Sequence, residues 1–241
     1  WPLGGVAVMS VLSPGAFDAV IFDAGGVFVL PDPTVLAPLL APFGGSLELE
    51  NHRRAHYAAM AAKSRAGDAE SHWRTYNEKY VETVGVETEM TSIASALLDR
   101  TRSADLWRYP ISENVAAIGV LEHLGVPMSV VSNAAGQIEW VLEWARVCQR
   151  GPGPLVSMRA IIDSEVVGVA KPHPEIFEFA LVEHSESPRD RILYVGDSVS
   201  MDVNGSRAAG LVPVLIDPFD DHAGADFARV NSVGDLTNLF V

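Results

Sequence analysis

The chain has 241 residues, of which 48% are hydrophobic, and its 17 basic and 31 acidic side chains give a formal net charge of −14. This length suits one large domain or a domain with an insert, and the acidic balance argues against nucleic acid or anionic membrane surfaces as partners. No stretch approaches the ~20 apolar residues of a membrane helix, and the apolar start lacks the basic residues of a signal peptide. A single cysteine, Cys148, excludes an internal disulfide and predicts a reducing cytoplasm.

The first predicted element is a strand. Residues 19–22 are apolar and run into Asp23, which predicts a strand buried on both faces of a parallel sheet. Glycine and proline punctuate residues 25–33 and predict a loop or short hairpin. From residue 34 to 101 the hydrophobic period becomes helical and no strand pattern appears, which predicts a four-helix insert.

Within the insert, Pro38 and Pro42 are expected to break the first helix, and Ser46 can cap a long second helix. The third helix spans about residues 69–84. Large apolar side chains recur along it at helical spacing and are expected to form core: Trp73, Tyr76, Tyr80 and Val84.

Strands and helices then alternate to the end of the chain. Helices are predicted over 112–124, 136–147, 174–184 and 199–209, and strands over 126–131, 160–163, 192–195 and 212–216. This alternation indicates a Rossmann-like parallel α/β sheet with helices on both faces, accompanied by a helical-bundle insert. Residues 1–30 and 110–241 are assigned to the core and 31–109 to the insert. Cys148 is placed in a helix as a small buried hydrophobe.

Polar side chains follow several of these strands. Asp23 and Asp197 each come directly after an apolar run, Ser132 and Asn133 follow another, and Lys171 precedes an amphipathic helix. The carboxyl ends of parallel strands lie at one edge of a sheet, where open α/β sheets bind their ligands. Each residue alone also fits ordinary structure, since Asp197 can cap a helix and Ser132 can belong to a turn.

Taken in order, these motifs resemble the haloacid dehalogenase-like hydrolase superfamily. The segments most similar to the motifs of this superfamily are KPHPEIF, residues 171–177, and GDSVSMD, residues 196–202. The resemblance covers both ends and the middle of the chain and is weak only from about 31 to 108. It implies an insert that forms a cap over the active site, a Mg²⁺ cofactor and a small phosphorylated metabolite as substrate.

The resemblance also implies roles for individual residues. Asp23 is the implied nucleophile, which forms an aspartyl-phosphate and so splits one hard step into two easier ones. Ser132, Asn133 and Lys171 are expected to bind the phosphoryl group, with Ser132 and Lys171 also contributing to catalysis. The expected Mg²⁺ ligands are oxygen donors of four residues: Asp23, the Gly25 backbone carbonyl, Asp197 and Asp202.

The chain departs from the family pattern at position 25. Phosphatases of this superfamily usually carry a second Asp there as general acid and base, and such a group contributes about 10²–10⁴-fold. Gly25 cannot transfer a proton, which leaves three outcomes open. The enzyme can act on substrates with good leaving groups, such as sugar 1-phosphates or acyl phosphates, or His56, Arg74 or Tyr76 of the insert can supply the proton. In the third outcome the protein binds phosphorylated ligands without catalysis. If the missing acid limits the rate, Gly25→Asp should selectively speed alkyl phosphates.

The leading hypothesis is a Mg²⁺-dependent hydrolase of small phosphorylated metabolites. A non-catalytic phospholigand-binding or regulatory protein is the alternative, followed by a haloacid dehalogenase or a phosphonatase. Dehalogenases tend to carry Tyr at the Gly25 position and lack the carboxylate pair, and a phosphonatase needs an insert lysine. Lys63 and Lys79 are the candidates, both expected on a solvated helix surface. Substrate contacts are sought among five insert residues: Arg53, Arg54, His56, Trp73 and Arg74.

Overall fold

A computed structural model describes residues 12–67 and 72–241 of the chain. The strands are β1 (Ala19–Phe22), β2 (Val29–Pro31), β3 (Trp107–Pro110), β4 (Met128–Ser132), β5 (Cys148–Arg150), β6 (Val156–Met158), β7 (Ile161–Asp163), β8 (Ile192–Gly196), β9 (Val212–Ile216) and β10 (Ala228–Val230). The α-helices are α1 (Pro33–Leu40), α2 (Leu49–Ala66), α3 (Arg74–Thr83), α4 (Thr91–Thr101), α5 (Ser112–His123), α6 (Ile138–Trp144), α7 (Ser164–Val167), α8 (Glu175–Leu181) and α9 (Asn204–Ala208). A π-helical turn, Val199–Val203, leads into α9, and a 3₁₀ helix, Val233–Phe240, ends the chain.

The central sheet has six strands in the order β10-β9-β8-β1-β4-β7. Every pairing in it is parallel, and β1 lies between β8 and β4. The predicted parallel sheet is confirmed, with β10 as an edge strand that the sequence pattern did not indicate. Because β1 and β8 are parallel neighbours, the residues that follow them lie next to each other at the carboxyl edge of the sheet.

Each face of the sheet packs on its own hydrophobic cluster. Val20 and Phe22 point to one cluster, shared with α5 and the terminal 3₁₀ helix. Ala19 and Ile21 point to the other, shared with α8. Side chains alternate across a strand, so a strand that is buried on both faces reads as a continuous apolar run. Helices on both faces are therefore confirmed.

The insert contains the four predicted α-helices, α1 to α4, which share a separate hydrophobic cluster that includes Tyr76 and Tyr80. Two details of the prediction are wrong. Pro38 lies inside α1 and does not end it. The N-cap of α2 is Glu48, and the hydroxyl oxygen of Ser46 accepts a hydrogen bond from the Glu48 N–H. The start predicted for the third helix lies partly outside the described residues, and α3 begins at Arg74.

Two short strand pairs were also missed. Residues 25–33 do not form a hairpin, because β2 pairs antiparallel with β3 at the far end of the insert. Cys148 is buried as expected but belongs to β5, which pairs with β6, and not to a helix. Among the residues that the structure describes, we find no helix with the length and apolar character required to span a membrane.

Candidate active site

A cavity of about 280 Å³ lies at the carboxyl ends of the central strands. Every residue predicted for the site lines it: Asp23, Gly25, Ser132, Asn133, Lys171, Asp197 and Asp202. Asp23 follows β1, Ser132 ends β4 and Asp197 follows β8. The structure therefore brings together residues that are up to 179 positions apart in the chain, from 23 to 202.

Three carboxylates form the centre of this cavity. Asp23, Asp197 and Asp202 each offer an oxygen within 4.8 Å of the others, and all three are buried. Burial, together with the charges of Asp202 and Asp197, raises the pKa of Asp23 to about 7 against the opposing effect of Lys171. Three ionised carboxylates and the Lys171 ammonium would leave a formal charge of −2 in a buried site, which is costly unless a cation compensates it. Hard oxygen donors with this excess charge fit Mg²⁺.

Lys171 is the cation that joins two of these carboxylates. Its Nζ lies 3.0 Å from Asp23 Oδ1 and 2.7 Å from Asp202 Oδ1, and it donates a hydrogen bond to the hydroxyl of Tyr194 at 2.9 Å. Burial opposes the charged form, but the carboxylates of Asp202 and Asp23 raise the pKa of Lys171 above its usual value. The ammonium is therefore held charged beside Asp23.

Asp202 is fixed by the turn that follows β8. Its Oδ2 accepts hydrogen bonds from the backbone N–H groups of Asp197 and Ser198, at 3.1 and 2.9 Å. Ser198 is the N-cap of the following π turn, and its hydroxyl accepts a hydrogen bond from Met201 N–H. A Cβ at position 196 would lie 2.2 Å from Asp202 Cγ, so only Gly196 allows the carboxylate to fold back onto its own turn.

Asn133 holds the loop that carries Lys171. Its side-chain amide donates to the Lys171 carbonyl at 3.0 Å and accepts from the Lys171 N–H at 2.8 Å. Two hydrogen bonds to one backbone unit fix the base of the lysine, so this amide positions Lys171. Ser132 lies at the end of β4 and faces the cavity. The phosphate-binding roles of both residues stay predictions.

Trp107 is the neighbour of Gly25 that the sequence did not reveal. A Cβ on Gly25 would lie 3.1 and 3.3 Å from two carbons of the Trp107 indole, closer than ordinary van der Waals contact. Trp107 begins β3, on the return from the insert, and also lines the cavity. An indole therefore packs over the position where the family pattern places its general acid.

The helix α2 of the insert contacts the carboxylates directly. His56 is buried, with Nε2 2.8 Å from Asp197 Oδ2 and Nδ1 2.9 Å from the hydroxyl of Tyr76. The neighbouring Tyr57 donates a hydrogen bond to the Gly26 carbonyl at 2.7 Å. His56 and Tyr76 do not line the cavity, so neither faces a substrate as a proton donor, although His56 contacts the cluster through Asp197.

The other insert residues fall into two groups. Three arginines make ion pairs away from the cavity: Arg53 with Glu113, Arg54 with Asp221, and Arg74 with Glu78. None of the three lines the cavity, so the structure does not place these arginines as substrate contacts or Arg74 as a proton source. Trp73 packs on the helical cluster as expected and also lines the cavity.

The lysines proposed for a phosphonatase differ from each other. Lys79 forms an ion pair with Glu82 and is partly exposed, as expected. Lys63 is buried, with its Nζ 3.7 Å from the centre of the Trp73 ring, so the expectation of a surface lysine is wrong for it. Lys63 does not line the cavity. Neither lysine is therefore placed to react with a substrate there.

The chain is similar to known hydrolases over most of its length. The family model for haloacid dehalogenase-like hydrolases matches residues 17–210, most of the chain. The chain belongs to this family. Within it, the chain is 27% identical over 173 residues to a phosphoserine phosphatase of Thermus thermophilus, a match that covers 70% of this chain and 63% of the relative. The chain thus spans less than two thirds of that relative.

Solved structures of family members share the fold. A putative hydrolase of this family from Bacillus subtilis, YfnB, which was solved with magnesium bound, superposes with a TM-score of 0.59 at 16% identity and covers 93% of this chain and 98% of its own. A 2-haloacid dehalogenase of Pseudomonas syringae superposes with a TM-score of 0.52 at 16% identity, over 92% and 97% of the two chains. Phosphatase and dehalogenase activities both occur on this fold, so the reaction has to be argued from the site.

Proposed function

We propose that this hydrolase is a Mg²⁺-dependent phosphatase of small phosphate monoesters that works through an aspartyl-phosphate on Asp23. The observation that carries the proposal is the buried carboxylate cluster joined to Lys171. A dehalogenation at carbon does not need such a cluster, whereas phosphoryl transfer depends on compensating the charge of the transferred group. The phosphatase among the relatives supports the same class of reaction.

The chemistry proceeds in two displacements. Asp23 attacks phosphorus, the bond from phosphorus to the ester oxygen breaks, and that oxygen leaves with the electron pair. Water then attacks the phosphorus of the aspartyl-phosphate, which releases inorganic phosphate and restores the Asp23 carboxylate. Asp23 Oδ1 accepts a hydrogen bond from the Ala24 N–H at 2.7 Å and contacts Lys171, so the nucleophile is oriented before substrate arrives.

Mg²⁺ is the cofactor that fits the donor set. Asp23, Asp197 and Asp202, together with the carbonyl of Gly25, would hold the ion. Bound there, Mg²⁺ would neutralise the carboxylates and the oxygens of the phosphoryl group. The chain's own contribution is to keep Lys171 charged and the three carboxylates in one buried place.

The helical insert, residues 31–109, is proposed to act as a cap, with residues 1–30 and 110–241 as the catalytic core. The separate hydrophobic cluster of its helices supports this division, as do the contacts of His56 and Tyr57 with the core. The cavity beneath it is at the small end of ligand pockets, which favours a small metabolite. The lone buried cysteine is consistent with work in the cytoplasm.

Phosphate release from a broad panel of phosphate esters, with and without Mg²⁺, tests the proposal. We expect Mg²⁺-dependent release that Asp23→Asn abolishes, because an amide cannot act as the nucleophile. Asp190→Asn, which changes an exposed carboxylate outside the cavity, is the matched control and should keep full activity. Release that persists in Asp23→Asn would contradict the mechanism, and no release from any ester would favour a non-catalytic phospholigand-binding protein.

A further inference from the structure

Position 25, where the family pattern places the general acid, offers no proton to a leaving group. Position 25 is a glycine, and a Cβ there would lie 3.1 Å from the Trp107 indole. Among the described residues that line the cavity, the acidic side chains are Asp23, Asp197 and Asp202, and histidine and tyrosine are absent. Those three carboxylates form the cluster around the nucleophile, so the leaving oxygen faces a wall without a general acid.

That wall is largely apolar and aromatic. Trp107, Trp73, Met60 and Ala104 are the apolar residues of the insert that line the cavity, and Arg102 and Ser103 are its polar ones. The guanidinium of Arg102 lies over the Trp73 ring, 4.2 Å from its centre, and donates a hydrogen bond to the side chain of Asn77. Polyol leaving groups require many polar partners for their hydroxyls, and this wall supplies few. A flat unsaturated group matches an indole surface better.

The geometry points to a substrate class: phosphate monoesters whose leaving group is a planar, resonance-stabilised oxyanion, of the aryl or enol type. This inference rests on the proposed phosphatase function. Such an oxygen departs without being protonated because the attached sp² carbon delocalises its charge, so the missing acid costs little. The oxygen that leaves an alkyl ester carries a localised charge, so its departure depends on the general acid that the chain lacks.

A set of four phosphate esters separates the contribution of the leaving group from that of ring contact. Phenyl and benzyl phosphate both carry a ring but release a stabilised and an unstabilised oxyanion, and vinyl and ethyl phosphate repeat that contrast without a ring. We expect kcat/KM for phenyl phosphate to exceed that for benzyl phosphate by at least about 100-fold, the usual effect of a general acid. Rates for phenyl and benzyl phosphate within tenfold of each other would overturn the inference.

Variants test whether the aromatic wall binds the ring. Trp107→Leu should lower kcat/KM for phenyl phosphate by about 2–10-fold more than that for vinyl phosphate, since only the first substrate loses a ring contact. Trp140→Leu is the control, because Trp140 is exposed on α6 and does not line the cavity. Equal losses for both substrates would contradict the ring contact.

The failures of the two proposals are distinguishable. If neither these four esters nor any ester of the broad panel is hydrolysed with Mg²⁺ present, the phosphatase function fails; if other esters of the panel are hydrolysed but phenyl and vinyl phosphate are not, only the substrate class is wrong. If benzyl and ethyl phosphate are hydrolysed as fast as phenyl and vinyl phosphate, the function stands and the substrate class is wrong. Should Trp107→Leu not fold, as judged by thermal unfolding, the comparison of four esters on the native chain still decides the leaving-group claim.

Discussion

Two glycines make room for the carboxylates of the site. A Cβ at position 26 would lie 2.0 Å from Asp197 Oδ2, and Gly196 similarly clears space for Asp202. Gly26 also has a φ of 65°, in the left-handed region that favours glycine. The contact with Asp197 therefore adds a steric requirement to a conformational one, and the position of a predicted Mg²⁺ ligand depends on an absent side chain.

Gly26→Ala tests this requirement. The methyl group should displace Asp197, lower kcat/KM by at least about 100-fold and remove the increase in melting temperature that we expect Mg²⁺ to produce in the native chain. Gly224→Ala is the matched control, because Gly224 has a φ of 79° but nothing within 4 Å of its Cβ position. If both variants lose the Mg²⁺ effect equally, backbone strain and not the clash with Asp197 is responsible.

At position 25 the structure adds a steric condition to the expectation drawn from sequence. Gly25→Asp alone should not speed alkyl phosphates, because the Trp107 indole would have to move before an aspartate fits. Gly25→Asp in a Trp107→Ala background should raise kcat/KM for benzyl phosphate relative to phenyl phosphate by at least about tenfold, since a general acid can then reach the leaving oxygen. Steady-state kinetics on both esters would show it. An unchanged ratio in the double variant would mean that the acid does not limit the rate.

Among the elements, α2 links the insert to the carboxylates. His56 contacts Asp197 and Tyr76 at once, so an imidazole that donates to the carboxylate from Nε2 accepts from the tyrosine at Nδ1. Partners of this kind orient metal ligands, and their loss typically costs 10–100-fold in metal affinity. His56 is thus a positioning residue, and its hydrogen bond links the helical insert to Asp197 of the core.

His56→Phe should weaken Mg²⁺ binding by about 10–100-fold, because Asp197 loses the hydrogen bond that orients it. His52→Phe is a close control: His52 lies one turn earlier on α2, is also buried, and pairs with Tyr80 at 2.9 Å, away from the carboxylates. It should lower the melting temperature but keep the Mg²⁺ affinity measured by calorimetry. Equal affinities in the two variants would count against a role for His56.

The elements also show what a sequence can predict. The strands β1, β4, β8 and β9 were recognised because each is a continuous apolar run, and the site residues follow from where those runs end. The pairing of β2 with β3, the burial of Lys63 and the packing of Trp107 on Gly25 depend on contacts across the fold. No local pattern encodes such contacts. The sequence therefore shows that Gly25 replaces the general acid, but it does not show that Trp107 packs against this position.

At the scale of the whole molecule, the net charge of −14 repels an anionic substrate, so its binding depends on the local positive charges of Lys171 and the proposed Mg²⁺. A separate group, His184, is expected to make the free energy of unfolding depend on pH. His184 is buried, with Nε2 2.7 Å from the Ser129 hydroxyl. Burial, helped by the charge of Arg159, lowers the pKa of His184 from 6.5 to about 4.

The sign of the effect on stability follows from this lowered pKa. Below about pH 6.5 the unfolded chain takes up a proton at His184 that the folded chain refuses until about pH 4, so stability is lost as the pH falls through that window. Between pH 7 and 5, the free energy of unfolding should fall by about 1–2 kcal/mol more in the native chain than in His184→Gln. His173→Gln, at an exposed histidine, should keep the native pH dependence in the same denaturant titrations. Identical pH slopes in all three proteins would refute this role of His184.

The account depends most on one divalent ion shared by Asp23, Asp197 and Asp202, and calorimetric titration of the native chain with Mg²⁺ tests it most directly. We expect a single site per chain that is lost in Asp197→Asn and kept in Asp190→Asn. Absence of Mg²⁺ binding to the native chain, or an affinity that Asp197→Asn leaves unchanged, would contradict the account.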